Sequence, residues 1–236
     1  MHQYTREERA HRAMWPVVMI TIGAAAIFLV LVLLVSNRLI SDLDEAILLS
    51  LREAGSPDNP LGPGWVEETL ADFTALGGYP LLVPIGGIVI CVLLLLRHRG
   101  AALFLFLSLA GGSIASTLLK QLFARPRPDL VAHADRVFTS SFPSAHAMVA
   151  TVAWLTLAAI TVRFVPRRSL RRFIMTMACI IAIIVGASRV YLGVHWPSDV
   201  LAGWAVGTAW AGCAWLTAHY LEHHYAAETD LGTSDT

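Results

Sequence analysis

Six long, predominantly apolar runs of roughly the length needed to cross a bilayer constrain this chain more than any other feature. They extend over Trp15 to Ser36, Tyr79 to Leu96, Ala101 to Phe123, Ser144 to Phe164, Phe173 to Val190 and Asp199 to Tyr220, separated by charges, prolines and glycines. A hydrocarbon core about 30 Å thick is crossed by about 20 apolar residues in a helix. Helices satisfy every backbone polar group within the segment, which an open strand in lipid does not. The expected fold class is therefore all-α, a polytopic bundle of six transmembrane helices. Residues 1–222 form one transmembrane domain in this reading, and 223–236 a polar C-terminal tail.

The balance of side chains agrees, since 56% of the chain is hydrophobic and only 14% charged. The formal net charge of +0 provides no field to steer nucleic acid, so that class of partner is excluded and the bilayer takes its place. Cys91, Cys179 and Cys213 fall inside apolar runs, where thiols serve packing; no disulfide framework or zinc motif is present in the spacing. Arg6, Arg9 and Arg12 precede the first run in the manner of a secretory leader. That run is too long for one, and Ala24-Ala25-Ala26 is embedded within it, so a retained helix is expected.

Between the first two runs, Asn37 to Gly78 is the longest non-spanning stretch. Turn chemistry from Ser56 to Gly64 divides it into two short helices. In the second, Trp65, Leu70, Phe73 and Leu76 alternate with Glu67, Glu68 and Asp72, a pattern that suits an interfacial helix or a soluble cap on the bundle. Basic residues set the orientation. With the N-terminus inside, ten of the 17 lysines and arginines fall on the cytoplasmic side, and six spans return the C-terminus there. The helical loop between helices one and two is then extracytoplasmic.

Three polar segments interrupt the apolar chain: Lys120 to Pro128, Phe142 to His146, and Ser188 to Asp199. The first follows helix three, the second opens helix four, and the third joins helices five and six. Topology alone therefore brings all three to one membrane face. In the first, Arg125-Pro126-Arg127-Pro128 forces an extended path, and forked guanidiniums match phosphate oxygens. Taken alone it reads better as a basic cluster touching anionic headgroups, because arginines at helix ends are common. In the second, Pro143 marks the start of helix four, with Ser144 in its first turn, where free N–H groups bind anions, and His146 beside them titrates near neutral pH. By itself His146 reads better as a packing or interfacial histidine. In the third, Pro197 and Ser198 start helix six, so His195 and Asp199 are neighbours. A carboxylate on one imidazole nitrogen leaves the other free to attack. By itself the pair reads equally as a helix-start carboxylate favoured by the macrodipole with the histidine incidental.

Taken together, Lys120, six residues, Arg127-Pro128; Pro143-Ser144-Ala145-His146; and Ser188-Arg189, five residues, His195, three residues, Asp199 resemble the type 2 phosphatidic acid phosphatase superfamily. That family includes lipid phosphate phosphatases and bacterial undecaprenyl diphosphate phosphatases. The resemblance implies that Lys120, Arg127, Arg189, Ser144 and the Ala145 amide bind phosphate. It implies His195 as nucleophile through a phosphohistidine, Asp199 as its orienter and His146 as proton donor. Ala145 stands where the family usually has glycine. No metal or other cofactor is expected, one carboxylate being too few oxygen ligands for magnesium. Arg125 and Arg136 stay outside the catalytic set because only Arg127 has the family's distance from Lys120. His133 is expected to be structural, and Trp65 and Trp196 to be interfacial anchors.

The expected activity is hydrolysis of a polyprenyl diphosphate such as undecaprenyl diphosphate, at the extracytoplasmic face of a bacterial plasma membrane. Phosphatidate or phosphatidylglycerophosphate is the alternative substrate, and phosphoryl transfer to a second lipid an alternative outcome. A transporter or non-catalytic lipid-binding protein is the alternative of another class.

Overall fold

The computed structural model describes residues 6–131 and 139–232, with side chains over 14–131 and 139–222. His133 and Arg136 lie outside the described residues. Each apolar run is a helix. The first is α1, Arg6–Ser36. The loop after it holds α2, Ser41–Ser50, and α3, Gly64–Ala75. The remaining runs are α4, Tyr79–Leu95; α5, Arg99–Phe123; α6, Ala145–Arg163; α7, Arg168–Tyr191; and α8, Pro197–Gly232. Among the described residues, α1, α5, α6, α7 and α8 are each long and apolar enough to cross a membrane. The sixth candidate span is the bent pair of α3 and α4, which meet at 41°; the 17 residues of α4 carry no charge.

Several boundaries differ from the sequence expectation, among them the start of α1 at Arg6, nine residues before Trp15. Ser144 is the N-cap of α6 and not a first-turn residue; its hydroxyl accepts from the Ala147 N–H at 3.5 Å. Helix α7 begins five residues early, its arginine-rich first turn being helical. Helix α8 continues to Gly232, well past Tyr220. Hydropathy marks where hydrocarbon ends, whereas a helix ends where its hydrogen bonds do. The turn-rich stretch after α2 is a small antiparallel hairpin of β1, Arg52–Glu53, and β2, Ser56–Pro60, reversing at Gly55 with φ 80°.

Helix α6 is the centre of the bundle and packs on α5, α7 and α8, while α1 lies along α8. Gly203 and Gly207, one turn apart on α8, allow the α6 backbone to come close. A Cβ at Gly203 would stand 2.7 Å from the Ser144 carbonyl oxygen, and one at Gly207 2.8 Å from that of Met148. Small residues at i and i+4 are how helices gain contact in lipid, where no hydrophobic force draws them together. Indole N–H groups add cross-links: Trp204 donates to the Ala182 carbonyl, Trp210 to Ser108 and Trp154 to Leu76. The outer faces carry exposed Met19, Ile20, Leu29 and Leu33, surfaces suited to acyl chains.

The loop elements sit over one end of the bundle. Tyr191 donates to the Leu61 carbonyl at 2.8 Å, and Arg52 to the Tyr191 carbonyl at 2.8 Å. On α3, Val66 and Leu70 pack against Tyr191, Leu192 and Val194, while Trp65 stays exposed. Trp196, expected as an interfacial anchor, is instead buried among Leu48, Val131, Val190 and Val200, and its indole donates to the Pro126 carbonyl at 3.2 Å.

Candidate functional site

Helix α5 ends at Ala124, which adopts the left-handed conformation (φ 42°, ψ 33°) and turns the chain out of the helix into Arg125-Pro126-Arg127-Pro128. Prolines hold this segment extended, and a second segment, Thr139 to Ser141, is laced to it. The Ser141 N–H donates to the Arg125 carbonyl at 2.8 Å, and the Ser140 hydroxyl to the Lys120 carbonyl at 2.6 Å. Lys120 Nζ reaches the Ser140 carbonyl at 2.5 Å, and Arg127 Nε the Thr139 carbonyl at 2.8 Å. Both cations line a common space.

That space is a cavity of about 550 Å³, lined by Lys120, Arg127, Arg189, His195, Ala145 and His146, together with Ser116, Thr139 and others. Three sequence segments far apart in the chain thus converge as topology predicted. Arg189, 1% exposed near the end of α7, donates to Thr74 Oγ1 on α3 at 3.2 Å. The elbow between α3 and α4 closes against the first turn of α6 because Gly77 has no side chain. A Cβ there would lie 2.4 Å from Val185 Cγ1 and 3.1 Å from the His146 carbonyl oxygen.

His195 is 1% exposed and its two nitrogens face different partners. Nδ1 lies 3.3 Å from Ser141 Oγ and 3.5 Å from Asp199 Oδ2, and Ser141 itself makes a short hydrogen bond to that same Oδ2. Nε2 lies 3.2 Å from Arg127 Nη1. A guanidinium only donates, so Nε2 is the acceptor and the proton sits on Nδ1, towards Asp199. Burial pushes the imidazole pKa down to about 4; the Asp199 carboxylate opposes this, and the charges of Arg127 and Lys120 add to it. At neutral pH the ring is uncharged, with its lone pair beside the cations.

Asp199 is fully buried in the first turn of α8. Its Oδ2 also accepts from the Trp196 N–H at 3.0 Å, and its carbonyl from the Ser144 N–H at 2.9 Å, which joins α8 to the start of α6. Ser144 is buried with its hydroxyl committed to the cap, and its neighbours Ala145 and His146 are the ones that line the cavity. Arg125, set aside on spacing, donates to Asp199 Oδ1 at 2.6 Å. Ser141, Thr139 and Arg125 are site neighbours that spacing did not single out. Serines beside Pro143 and the doubled Arg-Pro were the only signals available.

A second cavity, of about 300 Å³, shares Tyr79 and Val149 with the first and runs between α4 and α5 past Leu82, Val83, Gly86 and Phe106. Polar cradle and apolar groove thus adjoin at Tyr79 and Val149.

A family model described as the PAP2 superfamily matches residues 101–222, the part of the chain that holds all three polar segments. Phosphatidylglycerophosphatase B of Bacillus subtilis is 31% identical over 183 residues, covering 76% of this chain and 85% of that protein. An undecaprenyl-diphosphatase of Sulfolobus acidocaldarius is 37% identical over 68 residues, 29% of each chain. The crystal structure of a transmembrane PAP2-type phosphatidylglycerolphosphate phosphatase from Bacillus subtilis superposes with a TM-score of 0.75 at 28% identity, covering 82% of this chain and 93% of that one.

Proposed function

The chain belongs to the PAP2 superfamily and is a multi-pass membrane lipid phosphatase, and from that premise we propose that it hydrolyses a lipid phosphate through a phosphohistidine on His195. The observation that carries this reading is the orientation of the His195 ring, Nδ1 towards Asp199 and Nε2 towards Arg127 and the cavity. Phosphate seated among Lys120, Arg127 and Arg189 places phosphorus before Nε2. The N–P bond forms as the P–O bond to the lipid breaks, and His146 delivers a proton to the departing oxygen. Asp199 and Ser141 hold the Nδ1 proton and the charge that develops on the ring. His146, now unprotonated, takes a proton from water, which attacks the phosphohistidine and releases phosphate. The Ala145 N–H, at the start of α6, adds a helix-dipole donor, and Ser144 acts by capping that helix. In this scheme cations and oriented donors supply the stabilisation of the transferring group, and no metal is required.

The apolar groove continuing from the cavity suits an acyl or isoprenoid chain, so the substrate enters with its phosphate among the cations and its tail between α4 and α5. Phosphatidylglycerophosphate is the substrate favoured by the relative that spans most of the chain. A polyprenyl diphosphate, the leading expectation from sequence, is the second reading and is favoured by the shorter match. Basic-residue placement supports an extracytoplasmic site with both termini cytoplasmic, and the likeness to a Bacillus subtilis membrane phosphatase supports a bacterial plasma membrane. Phosphate release from purified protein given each lipid in turn ranks these substrates. Release by wild type that survives in His195→Ala would refute the phosphohistidine route.

A further inference from the structure

Behind Asp199, outside the residues that face the cavity, lies a buried charge cluster whose Asp44 and Arg125 the mechanism above does not use. Asp44, on α2 in the loop region, is 1% exposed. Its Oδ1 accepts from the Ser198 N–H at 2.8 Å and its Oδ2 from the Ser198 hydroxyl at 2.5 Å. Arg125 then bridges this carboxylate to Asp199. Its Nη2 donates to Asp44 Oδ2 at 2.8 Å, and its Nη1 to Asp199 Oδ1 at 2.6 Å and Ser198 Oγ at 2.8 Å. The guanidinium also lies 5.6 Å from the ring centre of Trp196.

We propose that Arg125, held by Asp44, is a positioning residue for the catalytic dyad: it occupies Asp199 Oδ1 so that Oδ2 is presented to His195, and its charge offsets that of Asp199. The inference rests on the reading of His195 as nucleophile. Two carboxylates buried around one guanidinium would be costly without such pairing, and a planar fork is the side chain that can span both. The bridge also reaches from α2 to α8, so an element of the loop region fixes the orientation of the acid behind the nucleophile.

The charge has a sign that can be read. His195 is faced by Lys120 and Arg127 from α5 and the segment after it, by Arg189 of α7, His146 of α6 and Asp199 of α8, with Arg125 and Asp44 behind Asp199. Removing the Arg125 charge leaves the Asp199 carboxylate unopposed and makes His195 bind its proton more readily. Removing the Asp44 charge acts in the opposite sense.

The test compares wild type, Arg125→Met, Arg125→Lys, Asp44→Asn and His195→Ala, each purified in detergent and assayed for phosphate release from phosphatidylglycerophosphate across pH. In Arg125→Met the acid limb of kcat/KM should move up by about one pH unit. Its kcat should fall about 10- to 100-fold from loss of orientation, with KM within about threefold, because the phosphate contacts lie elsewhere. Asp44→Asn should move the limb down, by less. Should Arg125→Met fail to fold, Arg125→Lys decides: one ammonium cannot span both carboxylates, so kcat falls while the limb moves less than about half a unit. A loss confined to KM, or acid limbs that coincide with wild type in both Arg125→Met and Asp44→Asn, would overturn the inference while His195→Ala stays inactive. An active His195→Ala would instead overturn the catalytic reading beneath it.

Discussion

At the scale of single residues, the site is a division of labour between two nitrogens of one ring. His195 Nε2 is turned to Arg127 and Nδ1 to Asp199, and burial keeps the ring neutral. Because its pKa is lowered from 6.5 to about 4, the proposed nucleophile is charged only when pH falls through about 4, and the acid limb of kcat/KM in wild type should lie there. The same shift has a stability consequence. An unfolded chain takes up this proton near 6.5 and the folded one only near 4, so stability is lost as pH falls across that window, and thermal unfolding of His195→Gln should be less acid-sensitive there. His195→Ala should lower kcat by at least about 10³-fold. His146→Gln should cost about 10²–10⁴-fold with a lipid monoester and much less with an aryl phosphate, whose acidic leaving group departs without a proton. Equal losses on both substrates would remove His146 from the role of acid.

At the scale of elements, the catalytic groups depend on how closely helices approach. Ser144 caps α6 and accepts α8 at its carbonyl side, where Gly203 leaves 2.7 Å for a Cβ that is not there. Gly203→Leu should therefore push the start of α6 away, lowering stability by about 1–3 kcal/mol and reducing activity with it, as read by thermal unfolding in detergent alongside phosphate release. Ala124 is the converse case. A left-handed conformation costs a residue with a Cβ, and Ala124→Gly should raise the melting temperature, with a gain of up to about 1 kcal/mol. The existence of each helix was legible because hydropathy and length are local properties. The hairpin after α2, the early start of α7 and the extension of α8 were not, since those depend on backbone hydrogen bonds that side-chain pattern reflects only weakly.

At the scale of the whole molecule, the alternation of the helices brings the ends of α5 and α7 and the starts of α6 and α8 to one side, and the candidate site cavity forms where they meet, with a groove between α4 and α5. Two expectations belong to this scale. Single cysteines placed in the segment from Arg125 to Phe142 should react with a membrane-impermeant reagent added outside intact cells, and protection there would reverse the assigned orientation. Phosphate release should persist after chelation with EDTA, and its loss with recovery on added divalent ion would require a metal in the mechanism.

The sequence by itself determined where the apolar runs lie and that three polar segments gather at a common end of the bundle, because alternation of sides follows from counting along the chain. It also contained the family spacing that singled out Lys120, Arg127, Arg189, His195 and Asp199. Only the tertiary structure decided what Arg125 does, although it differs from Arg127 by two positions. One turns to the His195 ring and the other to a carboxylate 81 residues away. The same holds for Ser141 at the His195–Asp199 contact and for the burial of Trp196. Burying a charge requires a partner, and nothing in the local pattern around Asp44 or Arg125 says which distant part of the chain will provide it.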